Sequence, residues 1–185
     1  MATIEAIATQ RADSTILTMS FTSIPQTYQH LLVMASSKNF AWSQSTVAAV
    51  FNDTSGPTYS SAGYFNNRLT FSNTSSSETA GQNSNYYYNV ATDGNDTPAG
   101  VWSCSRWIIY DYANTNKNTS IMTMGGTGGR NQHIHTGSYN NDLRIGAGGW
   151  HENTAVTSLS LGTYSATNYG QLRGFSATLF GIKDS

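Results

Sequence analysis

Apolar residues in this chain recur at alternate positions in short runs, and no stretch repeats them at the helical period of 3.6 residues. Leu17, Met19 and Phe21, for example, would all point to one side of an extended chain. Clusters of Gly, Pro, Asn, Ser and Thr separate these runs, as they do between short strands. About eight to ten strands at this spacing predict an all-β fold, a two-layer antiparallel β-sandwich of jelly-roll-like form.

The most apolar run lies in residues 21–36, FTSIPQTYQHLLVMAS. In an extended chain Leu31 and Val33 would point to one side, while Leu32 and Met34 would point to the other. Both faces of this strand are therefore apolar, which predicts a central strand that is buried on both sides. Pro25 precedes it, where a proline can turn the chain without removing a hydrogen bond of the sheet.

The clearest supersecondary element is a hairpin over residues 103–126. Trp107 and Ile109 alternate with Ile108 and Tyr110, and the Asn-rich turn 114–118 leads into a second extended run, TSIMTMGG. Further strands are predicted over 46–51, 64–71, 86–88, 155–162 and 172–182. The Ser/Thr/Asn-rich residues 72–85 are predicted to be irregular, and the Gly-rich residues 125–129 to form a hairpin or bend.

The length of 185 residues fits one domain, which can bury roughly 70% of its unfolded surface. We assign residues 14–185 to a single β-sandwich domain. Residues 1–13 contain small apolar positions at Ile4 and Ile7 but no clear face, so they are predicted to be a short N-terminal arm that orders against a neighbour.

Charged residues make up only 10% of the chain, and the formal net charge is -1, against about 25% charged residues in typical soluble domains. No basic stripe is available to neutralise phosphates, so we expect no nucleic-acid partner. No apolar run approaches the ~20 residues of a membrane span, and the first residues do not resemble a secretory signal. Cys104 is the single cysteine, which excludes an intrachain disulfide and favours a small buried side chain.

The residues that could carry chemistry lack partners at the required spacing. His133 and His135 could begin a metal site, but His151 is the only plausible third ligand nearby in sequence. Residues 93–98 alternate like a calcium loop, yet the glycine position holds Pro98. No Ser lies in a G-x-S-x-G elbow. The chain is therefore predicted not to be an enzyme and to have no cofactor, metal or catalytic residue.

Aromatic residues lie in or beside the predicted loops. Such side chains can stack on sugar rings, because they offer a large apolar area at low entropy cost. The alternative is that they plug the open ends of the sandwich, and this reading is the favoured one. The candidates for contact with a glycan or a protein partner are Trp42, Tyr86, Tyr87, Trp102 and Trp150.

Two segments carry a resemblance to a known group of proteins, FTSIPQTYQHLLVMAS at 21–36 and GFSATLFGIKDS at 174–185. The matching positions include Ile24-Pro25, Tyr28 and the ending Leu179-x-Gly181-Ile182-Lys183, with FND at 51–53 and Asp111-Tyr112 between them. This pattern resembles small β-sandwich virion proteins of tailed bacteriophages, common in phages of aquatic bacteria. These motifs are structural and specify no catalytic residue.

The resemblance implies a subunit of the virion, assembled in the host cytoplasm. The first hypothesis is a head decoration (cement) subunit, a homotrimer that binds other virion proteins such as the major capsid protein and stabilises the shell. The alternative is a tail or fibre-associated adhesin that binds a host surface glycan through its loop aromatics. The chain has no heptads or collagen-like repeat of the kind that a long fibre would show, which favours decoration.

Overall fold

The fold is described from a computed structural model of the chain. It describes the backbone at residues 1–13, 16, 18–39, 46–52, 64–72, 76–84, 87–88, 102–128, 142–164 and 172–183.

The described residues form β-strands and turns, without a helix, so the predicted all-β class is confirmed. Strands form where β-branched, aromatic and other apolar residues alternate between the two faces of the chain. The twelve strands are β1 (Thr3–Arg11), β2 (Thr18–Phe21), β3 (His30–Asn39), β4 (Thr46–Phe51), β5 (Tyr64–Ser72), β6 (Ser76–Ser84), β7 (Tyr87–Tyr88), β8 (Trp102–Tyr110), β9 (Thr119–Gly128), β10 (Asp142–Trp150), β11 (Leu159–Tyr164) and β12 (Leu172–Lys183).

These strands form two antiparallel sheets. The large sheet has eight strands in the order β1-β12-β3-β8-β9-β10-β5-β6, and the small sheet has four in the order β2-β11-β4-β7. Strand β3 is thus an interior strand of the large sheet, as residues 21–36 predicted. The predicted hairpin is also confirmed, since β8 and β9 pair from Trp102–Gly128 to Tyr110–Ser120 around the turn at 111–118.

One face of each sheet contributes to a single hydrophobic core. Leu31 and Val33 of β3 are 0% and 1% exposed, which confirms them as core positions. The small sheet adds Met19, Val47 and Leu161 to the same cluster. We call the face of the large sheet that carries Leu31 its inner face, and the opposite face its outer face.

The first strand corrects an expectation from the sequence. Residues 1–13 were predicted to be an arm, yet Thr3–Arg11 is the edge strand β1 and pairs with β12 from Thr3–Lys183 to Arg11–Ser176. Backbone pairing needs no continuous apolar face, so the weak pattern of this segment hid a strand. Deleting it would uncover the edge of β12 instead of removing a free arm.

Two further predictions about the large sheet are wrong for a related reason. Residues 76–84 were predicted to be irregular but form β6, which pairs with β5. Gly125 and Gly126 were assigned to a bend but continue β9, where they lie opposite Ser105 and Cys104 of β8. Polar residues and glycines disfavour a strand only weakly when a partner strand supplies the hydrogen bonds.

The turns at one end of the fold are tied together by hydrogen bonds. The Ile24 amide donates to the Thr157 carbonyl at 2.9 Å, and the Val156 amide donates to the Tyr112 carbonyl at 2.8 Å. The buried Tyr112 donates its hydroxyl proton to the Pro25 carbonyl. The turn after Pro25 is therefore fixed to the loops that follow β8 and β10.

Asn52 joins the end of β4 to the loop before β11. Its Oδ1 accepts from the amides of Thr157 at 2.7 Å and Ser158 at 3.2 Å, and its Nδ2 donates to the Ala155 carbonyl at 2.8 Å. The residue has a φ of 55°, a left-handed conformation that asparagine tolerates better than most residues. One side chain thus replaces several backbone hydrogen bonds at the end of the strand.

Tyr28 lies flat on the backbone of Gly181. A Cβ atom at position 181 would lie 2.2 Å from the Tyr28 Cγ. The Tyr28 hydroxyl donates to Glu5 Oε2 at 3.1 Å, and Lys183 Nζ lies 4.8 Å from the centre of the ring. The ring therefore covers the junction of β1 and β12, and only glycine leaves room for it.

We expect Gly181→Ala to lower the free energy of unfolding by about 1–3 kcal/mol, because the ring must leave its position. Urea unfolding measures this. The matched control is the same change in a Tyr28→Ala background, where it should be neutral or stabilise by up to about 1 kcal/mol, since alanine favours the strand over glycine. Equal costs in both backgrounds would contradict the role of the ring.

Candidate functional site

The outer face of the large sheet carries most of the large apolar side chains that the described residues expose. Residues two apart share a face of a strand, so Leu32 and Met34 lie on the face of β3 that is opposite to the face of Leu31 and Val33. Met34 is 52% exposed. This corrects the prediction that β3 is buried on both faces, because the small sheet covers only the inner face of the large one.

The register extends this apolar surface across neighbouring strands. Met34 is aligned with Arg106 of β8, Arg106 with Met124 of β9, and Met124 with Ile145 of β10. Five of the apolar side chains on this face are well exposed, from Ile4 at 60% to Met122 at 39%. The exposed or half-buried apolar residues of the outer face are Ile4, Leu32, Met34, Leu69, Ile108, Met122, Met124, Leu143, Ile145, Phe180 and Ile182.

Three aligned side chains form a raised row on this face. Met34, Arg106 and Met124 stand next to one another on β3, β8 and β9, and we call this row the ridge. All three are long and unbranched at Cβ. Arg106 is exposed, and its methylene stem can cover apolar surface while its guanidinium remains in water.

On β3, β8 and β9, a second row two residues further along the strands contains only small residues, and Leu143 of β10 ends this row. The small residues form the floor of a cavity of about 660 Å³ that the ridge borders on one side. We call this cavity the groove. Its depth follows from side-chain size, since nothing longer than a cysteine rises from its floor. The floor residues are Ser36, Cys104 and Gly126, on β3, β8 and β9.

Charge is scarce on the outer face. On the five strands β12, β3, β8, β9 and β10, Arg106 is the one charged residue among the outer-face side chains that the structure describes. Arg106 forms no salt bridge with the described residues. Cys104, predicted to be buried, is exposed in the groove, so its thiol is accessible. The surface suits apolar contact, with one cation available to it.

Of the five aromatic candidates, three lie within the described residues, on the separate strands β7, β8 and β10. Trp150 is at the end of β10, where it is 3% exposed and stacks on Tyr64 with ring centres 6.3 Å apart. It therefore fills the core, the alternative favoured from the sequence, and presents no surface to a ligand. Trp42 and Tyr86 lie outside the described residues. The backbone of Tyr87 pairs with Ala49 in the small sheet, and that of Trp102 with Lys38 in the large one.

Groups of side chains suited to metal binding are absent from the part of the chain that the structure describes. It contains no cluster of three or more His, Cys, Asp or Glu residues. His133, His135 and the calcium-like residues 93–98 lie outside the described ranges. His151 is exposed in the loop after β10.

Two ion pairs lie away from the outer face. A hydrogen bond from Lys117 lowers the pKa of the Asp111 carboxyl below its ordinary value. A hydrogen bond from Lys183, 3.1 Å from Glu5 Oε2, lowers the pKa of Glu5, and Tyr28 adds to this effect. Both carboxyl groups are therefore easier to ionise in the folded chain than in the unfolded one.

Acid is expected to lower the stability of the fold through these two groups. When folding lowers the pKa of a carboxyl group, the stability that it contributes is complete above the pKa of that group in the unfolded chain, 3.8 for Asp and 4.5 for Glu. This stability is lost as the pH falls through the pKa of the group in the folded chain. Urea midpoints measured between pH 7 and pH 2 should therefore decline below about pH 4.5. The decline should be smaller in a Lys117→Met/Lys183→Met variant. An identical decline would assign it to other carboxyl groups.

Comparison with protein-family models, with curated proteins and with solved structures gave no match to this chain. The resemblance to phage virion proteins therefore stays a prediction from the residues quoted above. Within the described ranges, no helix is long and apolar enough to cross a membrane.

The residues of the ridge and the groove were not singled out from the sequence. Met34, Met122 and Met124 alternate with core positions, and this alternation was available as a signal. For Met34 it was interpreted as the second buried face of a central strand. The register that aligns Met34 with Arg106 and Ser36 with Cys104 could not be predicted from the sequence.

Proposed function

We propose that the chain is a structural subunit of a bacteriophage virion, most simply a head decoration (cement) subunit. In this proposal the two sheets are the layers of a jelly-roll-like sandwich, and the subunit works by binding protein instead of by catalysis. The observation that carries the proposal is the exposed apolar outer face of the large sheet.

A surface of this kind favours an assembly role. Monomeric soluble proteins rarely expose contiguous apolar patches larger than a few hundred Å², and larger ones mark sites of association. The cores of protein interfaces are also depleted of charge and enriched in methionine and arginine. The outer face has both properties, with methionines at 34, 122 and 124 and the cation Arg106 among its described side chains. A low charge density also makes the surface cheap to desolvate.

The resemblance to phage virion proteins implies the proposed partners, which are other virion proteins such as the major capsid protein. A particle reconstruction from the phage that encodes this chain tests the assignment. Density for a subunit with an eight-stranded and a four-stranded sheet is expected on the outside of the head. Absence of the chain from purified particles, measured by mass spectrometry, would refute a virion role. Density at the tail or fibre would refute the decoration role alone.

The glycan-binding alternative has one observation in its favour, the groove of about 660 Å³, a volume within the range of small-ligand sites. Among its described lining residues, however, there is no aromatic ring on which a sugar could stack. A glycan array with the purified chain separates the two functions. Decoration predicts no binding, and specific binding that is lost on filling the groove with Gly126→Phe would favour the adhesin.

A further inference from the structure

We infer that the outer face of the large sheet is a two-fold interface with a second copy of this chain. The inference rests on the proposed role as an assembly subunit and names the partner of its apolar face. It replaces the trimer expected from the resemblance with an isologous pair, in which both copies use the same surface.

The size of the face is the first argument. In the order of the sheet, seven neighbouring strands lie from β1 through β12, β3, β8, β9 and β10 to β5. With a strand spacing of about 4.8 Å and about seven residues of 3.3 Å in each strand, one face of these strands covers roughly 700–900 Å². A stable interface of standard size uses about 800 Å² from each partner. The outer face alone is therefore large enough for a stable dimer, and no other segment of the chain is needed.

The shape of the face is the second argument. The ridge and the floor of the groove are parallel rows, two residues or about 7 Å apart along the strands. A two-fold axis that runs between these rows, parallel to them, brings the ridge of each copy above the groove of the other. Met34 then lies over the partner's Ser36, Arg106 lies over the partner's Cys104, and Met124 lies over the partner's Gly126. Large side chains thus meet small ones at these three positions, while on β10 Ile145 lies over the partner's Leu143.

The twist of the sheet also favours a second copy of the chain as the partner of the outer face. Sheets twist in one hand, and two sheets pack face to face about 10 Å apart when their strands run within about 30° of each other. An identical sheet has the same twist as its partner, so this packing needs no change of backbone in either copy.

The charge on the face makes the effect of salt on binding different for a second copy of the chain and for a different protein. A foreign partner that recognises Arg106 would supply a carboxylate, and salt would weaken that complex. In the two-fold pair the two guanidinium groups approach across the axis, about 7 Å apart along the strands. Salt screens their repulsion. Association of the chain with itself should therefore tighten as the salt concentration rises.

Analytical ultracentrifugation of the full chain tests the pair. A monomer–dimer equilibrium is expected, and Met34→Arg should weaken it by about 30-fold or more, because the new cation would be buried beside Arg106 of its own strand pair and would add to the repulsion across the axis. Thr115→Arg is the matched control. It adds the same charge at an exposed position of the 111–118 turn, and it should change the dissociation constant by less than about threefold. Circular dichroism and thermal unfolding establish that both variants are folded.

The native thiol gives a second, independent readout of the same face. Cys104 is the only cysteine and lies on the floor of the groove. Its alkylation by N-ethylmaleimide should slow as the protein concentration rises, and the fully alkylated chain should remain monomeric. Arg106→Met should tighten the dimer and remove its salt dependence.

Three results would overturn the inference. These are a monomer at millimolar concentration, a trimer, or a dimer that neither Met34→Arg nor alkylation of Cys104 weakens. The test does not depend on the virion. Absence of the chain from particles would refute the proposed function and leave the dimer standing, while a monomeric chain found on particles would refute only this inference.

Discussion

Replacing Leu31 with alanine is expected to lower the free energy of unfolding by about 2–5 kcal/mol. Leu31 is 0% exposed, and its neighbours in the register are Ile109 and Gly181 on the two adjacent strands. A large-to-small change here removes buried methyl groups and leaves a cavity between the sheets, because an interior strand has little freedom to close the space. Urea unfolding followed by circular dichroism measures the loss.

Met34→Ala is the matched control for this prediction. It lies on the same strand, three residues further along and on the opposite face, and its side chain is 52% exposed. Measured at a concentration where the chain is monomeric, it should cost less than about 1 kcal/mol. If both changes cost the same, the inner and outer faces would not differ in burial as described, and the outer face would lose its status as a free surface.

Asn52→Ala is expected to cost about 2.5–5.5 kcal/mol. The change removes the hydrogen bonds that the Asn52 side chain forms with Ala155, Thr157 and Ser158, at about 0.5–1.5 kcal/mol each. It also places a Cβ-bearing residue without a local polar partner at a φ of 55°, which costs about 1 kcal/mol more. Unfolding by urea provides the value.

Two substitutions at the same position separate these contributions. Asn52→Gly removes the side-chain hydrogen bonds and relieves the backbone strain, so it should be more stable than Asn52→Ala by about 1 kcal/mol. Asn52→Asp keeps an acceptor for the amides of Thr157 and Ser158 and loses only the donor to Ala155, so it should be the mildest of the three. If Asn52→Gly were as stable as the natural chain, the hydrogen bonds would contribute no more than the backbone strain that glycine relieves.

Local alternation was sufficient to predict the fold class, the β8–β9 hairpin and the core positions Leu31 and Val33. These features depend on residues close together in sequence, or on a single strand. Alternation also showed that β3 has two apolar faces. It could not show that only one is covered, because the extent of the small sheet depends on strands from four separate parts of the chain.

The candidate site could not be predicted from the sequence for the same reason. The groove exists because Ser36, Cys104 and Gly126 fall in one row, and this row is a property of the register between three strands. Trp150 and Tyr64 are far apart in sequence but stack in the core, so an aromatic residue assigned to a loop became part of the interior. The edge strand β1 was missed because its partner is formed by residues 172–183.

The position of β12 between β1 and β3 has a consequence for synthesis of the chain. Residues 172–183 are translated long after both of their neighbours, so neither β1 nor β3 has this partner while the ribosome is still adding the intervening residues. Pairings over such sequence separations form slowly, and unpaired strand edges promote aggregation. A nascent chain that stalls before residue 172 would expose two open edges in the middle of its largest sheet. Completion of β12 is therefore the step that joins β1 to β3 and removes the open edges between them.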